Sequence, residues 1–331
     1  MKSLAKVLFE IVVFITVLSL VACAAPTGVS QAPAGKTVKT YKTLVVGFAQ
    51  IGAESGWRDG ETQSIKETAA KLGVDLKFSD AQQKQENQIK ALRAFIAQKV
   101  DVIGIPPVVT TGFETVLQEA KDAGIPVIFI DRKADVPEDL YATFIGSDFV
   151  LEGKNAAIEL GKQVDEKANI VELEGTVGAG PAIDRKKGFD DEIAANHKDI
   201  KVLESQSGDF NLAKGKEVMQ SFLKKYPGQI QAVYAHNDEM ALGAIQAIEE
   251  AGLKPGVDIK IVSIDGEKAI FEAMVAGKAN VTVECNPLLG PQFFEAALKL
   301  ANGETVDKWI KSNEGIFRQD TAAAELPKRV Y

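Results

Sequence analysis

Cysteine and histidine are scarce in this chain. Its 331 residues include 2 cysteines and 2 histidines. A zinc centre normally uses three or four Cys or His ligands, so the sequence offers too few for the usual metal sites. Two cysteines are also too few for a disulfide framework. We therefore expect neither a metal ion nor another cofactor.

Basic residues are outnumbered by acidic ones. The chain has 38 Lys and Arg against 46 Asp and Glu, a formal net charge of −8. A nucleic-acid-binding surface needs a basic face, so we expect no nucleic-acid partner. The apolar fraction of 46% and charged fraction of 25% exclude a disordered chain, a collagen-like fibre and a multi-pass membrane protein. At about 150 residues per domain, the length predicts about two domains.

The N-terminal segment lacks an apolar run long enough to span a bilayer. Residues 11–22 form a run of 12, apolar apart from Thr16 and Ser19, whereas a membrane-spanning helix needs about 20. Lys2 and Lys6 precede this run. A short positive region followed by a short apolar run predicts a secretory signal peptide over residues 1–22.

The apolar run ends in Leu20-Val21-Ala22-Cys23, which resembles a bacterial lipoprotein cleavage site. We expect Cys23 to be lipidated; the alternative is an ordinary signal peptide cut after Ala22 or Ala25. Residues 24–42 are rich in Ala, Pro, Gly, Thr and Lys and contain no acidic residue, a composition that predicts a flexible tether. We therefore interpret residues 23–42 as a lipidated Cys followed by this tether. The chain would then be exported to the periplasm or the outer face of the cytoplasmic membrane, which it would contact through lipid only. Cys285 is expected to be a small buried residue.

The body of the chain alternates between strand and helix patterns. Ten short runs rich in β-branched residues are strand candidates, at 43–49, 74–78, 102–105, 127–130, 142–145, 170–173, 201–205, 232–235, 260–264 and 280–283. Stretches with helical spacing separate them, and this alternation predicts an α/β fold with doubly wound parallel sheets. Ten strands are many for one sheet. The pattern therefore predicts two sheets, with a break near Gly146.

Polar side chains and one tryptophan follow several of these strands. Ligands of doubly wound sheets bind beyond the carboxyl ends of the strands. We therefore expect one ligand site formed by the residues at these ends, which are Glu54, Ser55, Gly56, Trp57, Arg58, Asp131, Arg132, Arg185, Asn237 and Asp265. Phe210 is a weaker aromatic candidate.

These residue types suit reversible binding of a neutral, hydroxyl-rich molecule. Carboxylates accept from hydroxyls, guanidinium groups donate in a fork and an amide does both. Trp57 offers a flat apolar face for a sugar ring. Each residue also has a purely structural explanation: a core position for Trp57, a cap for Asp131, a surface charge for Arg132, a solvated face for Arg185, an N-cap for Asn237 and a turn for Asp265.

Enzyme motifs are missing from the same positions. Gly47, Gly52 and Gly56 are spaced five and four apart, whereas the dinucleotide fingerprint needs two and three. No Gly-x-Ser-x-Gly nucleophile motif occurs. Carboxylate pairs drawn from Glu54, Asp131 and Asp265 could serve glycoside hydrolysis, but sugar-binding carboxylates look the same in sequence. We expect a binding protein and not an enzyme.

Runs of residues along nearly the whole body resemble a known family. They are Val46-Gly47-Phe48, Glu54-Ser55-Gly56-Trp57-Arg58, Gln82-Gln83-Lys84-Gln85-Glu86-Asn87-Gln88, Asp131-Arg132, Leu173-Glu174-Gly175-Thr176-Val177-Gly178-Ala179, Ile183-Asp184-Arg185-Lys186-Lys187-Gly188-Phe189, Ser205-Gln206-Ser207-Gly208-Asp209-Phe210 and Ala235-His236-Asn237-Asp238. From about Thr43 to Tyr331, the chain resembles the sugar-binding subunits of bacterial ABC transporters with the ribose-binding-protein fold, and most closely their galactofuranose-binding branch.

The resemblance implies two lobes joined by a three-segment hinge, the type I periplasmic binding protein fold. The N-terminal lobe would hold residues 43–145 and 266–284, and the C-terminal lobe 146–265 and 285–331. The ten residues at the strand ends would contact a monosaccharide, galactofuranose first, with galactopyranose, arabinose or ribose as alternatives. Closure of the lobes would bury the sugar and present a monomer to an ABC permease and its ATPase.

Transcription regulation and signalling are two other roles that proteins of this fold can have. Transcription regulators carry an N-terminal DNA-binding module, whereas this chain has a predicted signal peptide there and a negative net charge. A sensor whose closed form docks on a chemotaxis receptor or histidine kinase is an open alternative to transport.

Overall fold

Residues 38–331 are described by the structure, a computed structural model. The predicted signal peptide and Cys23 lie outside these residues, as does most of the predicted tether. Between Val38 and Tyr331, no helix is long and apolar enough to cross a membrane.

Strands and helices alternate along the described chain. The strands are β1 (Val45–Gln50), β2 (Asp75–Asp80), β3 (Val102–Ile105), β4 (Val127–Ile130), β5 (Thr143–Gly146), β6 (Lys167–Glu174), β7 (Asp199–Ser207), β8 (Ala232–Ala235), β9 (Lys260–Asp265), β10 (Val281–Glu284), β11 (Trp309–Lys311) and β12 (Ile316–Arg318). The helices are α1 (Gly56–Leu72), α2 (Gln85–Gln98), α3 (Glu114–Asp122), α4 (Phe149–Gln163), α5 (Gly180–Asn196), α6 (Leu212–Lys225), α7 (Asp238–Glu250), α8 (Lys268–Val275), α9 (Gly290–Ala301) and α10 (Ala322–Glu325).

The strands form two six-stranded sheets, in the orders β11-β5-β4-β3-β1-β2 and β12-β10-β9-β8-β6-β7. Every paired neighbour is parallel except β10 and β12, which are antiparallel. Strands inside the sheets, such as β3, β4 and β8, are buried along their full length, which explains their unbroken apolar runs. The predicted α/β class with two doubly wound lobes is confirmed.

The ten strands predicted from the sequence all form, and the chain passes to the second lobe after Gly146. The strands β11 and β12 were not predicted. Each has only three residues and is partly exposed, so neither shows the apolar run that marks a buried strand. Both lie at sheet edges, where fewer side chains are buried.

The predicted division of the C-terminal third between the lobes is wrong. Segment 266–284 belongs to the second lobe, because β10 pairs in parallel with β9 and α8 packs on α7. Within 285–331, α9 instead packs on α1 and β3 of the first lobe, where β11 also pairs with β5. The helix α8 is a short crossover between neighbouring parallel strands, which keeps both strands in one sheet. The first lobe therefore holds residues 38–146 and about 286–311, and the second the rest of the described chain.

The end of the predicted tether packs against the first lobe. The Lys39 amide donates to Asn302 Oδ1 at 2.8 Å, and Lys39 Nζ lies 2.8 Å from Asp101 Oδ1. Asn302 returns a hydrogen bond to the Lys39 carbonyl. Residues 38–42 are therefore part of the folded body, which corrects the tether boundary at residue 42.

Three crossings connect the lobes, at residues 147–148, 285–289 and 312–315. One side chain from each crossing meets the others. Ser147 Oγ lies 3.4 Å from Cys285 Sγ and also donates to Glu314 Oε1, which accepts from the Asn286 amide at 3.2 Å. We call Ser147, Cys285 and Glu314 the hinge cluster.

Candidate functional site

The carboxyl ends of the strands of both sheets enclose one cavity between the lobes. Of the ten predicted site residues, all except Gly56 line it, joined by Pro181, Phe210 and Cys285. Its volume is 20 Å³, which is room for about one water molecule. The structure therefore shows the lobes closed, without space for a sugar unless the walls separate.

A larger groove of 780 Å³ lies beside the first crossing and is lined by Tyr141, Phe144, Phe149 and Trp309 among others. Its size does not make it the better candidate, because the buried arginines and their carboxylate partners converge on the smaller cavity. Perturbed ionisable groups in a cleft are the stronger sign of a functional site.

Arg58 is the centre of the first-lobe wall. It lies in the first turn of α1 and donates to Glu54 Oε1 at 3.0 Å, to Asp131 Oδ2 at 2.5 Å and to Glu61. Burial alone would lower the pKa of Arg58, but the carboxylates of Glu61, Asp131 and Glu54 outweigh burial and raise it. Arg58 is therefore a fixed positive charge that binds three carboxyl groups, and burial raises the pKa of one of them, Glu61, to about 7.

Arg132 and Glu54 keep hydrogen-bonding atoms free at the cavity. Arg132 Nη2 contacts Glu54 Oε1 at 3.4 Å. Glu54 Oε2 and Arg132 Nε are buried and have no hydrogen-bond partner among residues 38–331. Burial would raise the pKa of Glu54, but Arg58 and Arg132 lower it, so the carboxylate is charged. An orphaned acceptor and an orphaned donor in one wall fit a hydroxyl-bearing ligand.

Arg185 is the centre of the second-lobe wall. Its Nε donates to Glu152 Oε2 at 2.7 Å, and its Nη2 to Asp265 Oδ1 at 3.3 Å. Its Nη1 donates to the His236 carbonyl at 2.6 Å. Because Arg185 is only 3% exposed, the alternative of a solvated surface face is wrong. Burial raises the pKa of Asp265 well above its usual value despite the nearby guanidinium.

Trp57 and Asn237 each fulfil both of the explanations that the sequence left open. Trp57 packs in the core, where its Nε1 donates to the Cys285 carbonyl at 2.6 Å, and it also lines the cavity. Asn237 Oδ1 caps α7 by accepting from the Met240 amide at 3.1 Å, while its Nδ2 donates to the Phe210 carbonyl. A structural role and a place in the cavity wall are therefore compatible at both positions.

Three residues of the wall have left-handed backbone conformations without being glycine. The φ angles are +59° at Asp131, +57° at Phe210 and +132° at Asp265. Such conformations cost on the order of 1–3 kcal/mol each and are concentrated at functional sites. Gly175 makes room for one of these residues, because a Cβ there would lie 1.9 Å from Phe210 Cζ.

Sequence reasoning missed the buried carboxylates that support the wall. Glu61 and Glu152 bind the two arginines, and Asp238 Oδ2 accepts from the Gly266 and Glu267 amides at 2.7 and 2.8 Å, which fixes the loop after β9. Burial raises the pKa of Asp238 to about 7. A signal existed for the two glutamates: Glu61 follows Trp57 by four residues and Glu152 follows Phe149 by three, which places each acid on an apolar helix face.

One group in the described range 38–331 has the spacing of metal ligands. Single ligand atoms of Glu152, Cys285 and Glu314 lie within 4.8 Å of one another. Arg185 donates to Glu152, and burial, helped by Glu152, raises the pKa of Glu314 to about 8. The Arg185 guanidinium therefore balances the charge of Glu152, and the raised pKa favours the neutral form of Glu314, so the group does not need a metal ion to balance its charge.

Comparison with known families settles what kind of protein has this cleft. The family model described as "Periplasmic binding protein domain" matches residues 46–305. The chain belongs to the periplasmic binding protein family. Within it, the galactofuranose-binding protein YtfQ of Escherichia coli (strain K12) is 53% identical over 291 residues, which cover 86% of this chain and 91% of that protein.

Two solved periplasmic binding proteins share the fold at similar identity. The arabinose ABC transporter component of Shewanella sp. ANA-3, bound to α- and β-L-arabinofuranose, is 52% identical with a TM-score of 0.84, covering 86% of this chain and 95% of that one. A Mycobacterium smegmatis protein in complex with β-D-fucofuranose is 52% identical with a TM-score of 0.83, covering 86% and 94%. The predicted family and the role of a substrate-binding subunit in sugar import are confirmed.

Proposed function

We propose that this chain binds galactofuranose between its lobes and delivers it to an ABC permease powered by an ATPase. The cavity carries the proposal, because both of its walls present buried arginines and carboxylates and one wall keeps an unpaired acceptor and donor. The similar proteins named above carry galactofuranose, arabinofuranose or fucofuranose in their descriptions, and these sugars share a five-membered ring.

The ten predicted site residues have distinct proposed roles. Glu54, Asp131 and Asp265 accept from sugar hydroxyls, the arginines at 58, 132 and 185 donate, and Asn237 orients the ring. Trp57 and Phe210 cover the ring's C–H surface. Ser55 caps α1 through a bond from the Arg58 amide to its Oγ at 3.2 Å, and so holds Arg58 in place. Gly56 acts outside the cavity, as described below.

The lobes must open for the sugar to enter, because the closed cavity holds only about one water molecule. Rotation about the three crossings would separate the walls while each sheet stays intact. A sugar held between the two walls, with the walls further apart than in this structure, favours a closed form over the open one and shifts the population towards it. The closed form then presents both lobes together to the permease.

Three further proposals concern sugar turnover, the oligomeric state and the cellular location of the protein. We propose that the site holds its sugar without transforming it, since each of its carboxyl groups at positions 54, 131 and 265 binds an arginine. We also propose a monomer that is exported to the periplasm or the outer face of the cytoplasmic membrane and anchored through lipid on Cys23. Incubation of the purified protein with galactofuranosides should leave the sugars unchanged, and any turnover would contradict the binding role.

A panel of sugars tests the ligand. Thermal shift and tryptophan fluorescence are measured with galactofuranose, galactopyranose, arabinose, ribose and glucose. Because the chain has 2 tryptophans, a Trp309→Phe background isolates the signal of Trp57. We expect galactofuranose to give the largest stabilisation and a change in Trp57 emission. Much greater stabilisation by ribose or glucose would contradict the assignment.

A further inference from the structure

Two carboxylates of the second lobe contact the beginning of a first-lobe helix across the cleft. The Gly56 amide donates to Glu239 Oε1 at 3.0 Å, and the Trp57 amide donates to Glu267 Oε1 at 2.8 Å. Glu239 lies in the first turn of α7, and Glu267 directly precedes α8. Neither glutamate lines the sugar cavity.

The chemistry of a helix N-terminus explains why these contacts stabilise the closed form. The first four amides of a helix have no partner within it, and the helix dipole makes that end partly positive. In α1, Ser55 Oγ accepts from the Arg58 amide, so the helix's own cap leaves the Gly56 and Trp57 amides unpaired. Only the second lobe supplies acceptors for them in this structure.

Gly56 itself is shaped for this contact. A Cβ at residue 56 would lie 3.2 Å from Glu239 Oε1 and 3.5 Å from Glu267 Oε2. The atoms nearest to it are thus carboxylate oxygens of the opposite lobe, which approach the backbone because no side chain intervenes. Gly56 does not line the cavity, so this contact is its closest link to the opposite lobe.

We propose that Glu239 and Glu267 form a latch that binds the α1 N-terminus when the lobes close and slows the release of the sugar. The latch rests on the proposed sugar-binding function, and it adds residues that act on closure without touching the ligand.

The surroundings of Glu267 make the latch reversible. Burial raises the pKa of Glu267 well above its usual value, with further contributions from Asp238 and Glu239, while the Trp57 amide opposes the rise. A carboxyl group in such a position gains by returning to water when the lobes separate. The latch therefore holds the closed form without locking it permanently.

The experiment measures sugar dissociation by stopped-flow fluorescence in full-length variants. In Glu239→Ala/Glu267→Ala we expect the dissociation rate constant of galactofuranose to rise at least about tenfold, since the two hydrogen bonds to the Gly56 and Trp57 amides are lost. The association rate constant should change less than about twofold, because the latch forms after encounter. Glu239→Gln/Glu267→Gln keeps an oxygen acceptor and should lie between wild type and the alanine variant.

Glu272→Gln is the matched control, because Glu272 is an exposed glutamate of α8 on the same lobe. It should leave both rate constants unchanged. Gly56→Ala should speed dissociation less than the double alanine variant, since its methyl group would lie 3.2 Å from Glu239 Oε1 and the flexible carboxylate relieves that contact by a shift of a few tenths of an ångström. An unchanged dissociation rate in the double alanine variant would contradict the latch, as would a slower association rate with an unchanged dissociation rate.

Interlobe distances from spin labels separate failure of the latch from failure of the ligand assignment. In sugar-free protein, the double alanine variant should show a more open mean separation than wild type, whatever the ligand is. Equal separations would count against the latch. Wild-type protein that binds none of the sugars would contradict the proposed function, and the distance measurement would still decide the latch.

Discussion

Each lobe has one buried arginine at the centre of its cleft wall, Arg58 in the first lobe and Arg185 in the second, but the two are held differently. Arg58 binds three carboxylates, all of the first lobe, and two of them lie within four residues of it. Arg185 binds two carboxylates and a backbone carbonyl, and its partner Glu152 faces the hinge cluster at Cys285 and Glu314. The first-lobe wall is thus a self-contained charge network, whereas the second-lobe wall is connected to the segments that join the lobes.

Removal of the first-lobe arginine should have the largest effect on stability. Arg58→Ala leaves Glu61 buried without a positive partner and leaves Glu54 and Asp131 with only their longer contacts to Arg132, which should cost about 3–5 kcal/mol of unfolding free energy. Urea unfolding followed by circular dichroism measures this change.

The exposed pair Arg93 and Glu119 supplies the control. Arg93→Ala should lower the unfolding free energy by no more than about 1 kcal/mol. Glu61→Gln combined with Arg58→Ala should recover part of the loss, because one buried negative charge is removed. A loss for Arg58→Ala as small as that for Arg93→Ala would mean that the network does not stabilise the lobe.

Removal of the second-lobe arginine should abolish sugar binding with a smaller loss of stability. Arg185→Ala removes a donor from the cavity wall and frees Glu152 and Asp265, and burial already favours the neutral form of both carboxyls. We expect galactofuranose affinity to fall by more than about a hundredfold. Calorimetric titration measures it, and unchanged affinity would remove Arg185 from the site.

The hinge cluster predicts a dependence of stability on pH. Burial raises the pKa of Glu314 from 4.5 to about 8, so the folded protein binds this proton more tightly than the unfolded chain. The resulting stabilisation is complete below pH 4.5 and is lost as the pH rises through about 8. Between pH 5 and pH 8, wild type should lose on the order of 3 kcal/mol of unfolding free energy relative to Glu314→Gln.

Charged and titratable side chains that surround Glu314 could mask this dependence of stability on pH, so the experiment needs a control. Glu152, Cys285 and Arg185 act on the Glu314 carboxyl, and Lys311 with Asp148 lies on the neighbouring wall. Glu272→Gln should keep the wild-type pH profile, because its side chain faces solvent. Identical profiles for wild type and Glu314→Gln would show that Glu314 does not take up the proton.

The two aspartates that bind the arginines provide the smallest and finest test. Asp131 Oδ2 accepts a hydrogen bond from Arg58 Nη2 at 2.5 Å, whereas Asp265 lies 3.3 Å from Arg185 and burial raises its pKa well above the usual value. Asp265→Asn should therefore cost less unfolding free energy than Asp131→Asn, by about 1 kcal/mol. Equal or reversed losses would contradict the difference between the lobes.

The sequence was sufficient for the strands and for most of the cavity wall. Strands buried on both faces leave apolar runs, and the residues directly after them must meet at one sheet edge. Arg185 and Asn237 were found in this way although they lie 52 residues apart in sequence. The periodic pattern also placed the first crossing at Gly146 correctly.

Contacts set by the relative position of the lobes could not be predicted in the same way. The chain returns to the first lobe at α9 and β11, because α9 packs against α1 and β11 pairs with β5. No local sequence pattern encodes these long-range contacts. Glu239 and Glu267 look like ordinary acids at helix beginnings, and only the closed cleft brings them to Gly56 and Trp57.

A crystal structure of the protein grown with galactose tests the central claim most directly, because galactose interconverts between ring forms in solution and the protein selects one. We predict a furanose ring between the lobes, contacted by Arg58 and Arg185 and covered by Trp57. A pyranose ring in the cleft, or a sugar bound only in the groove beside Trp309, would contradict the account.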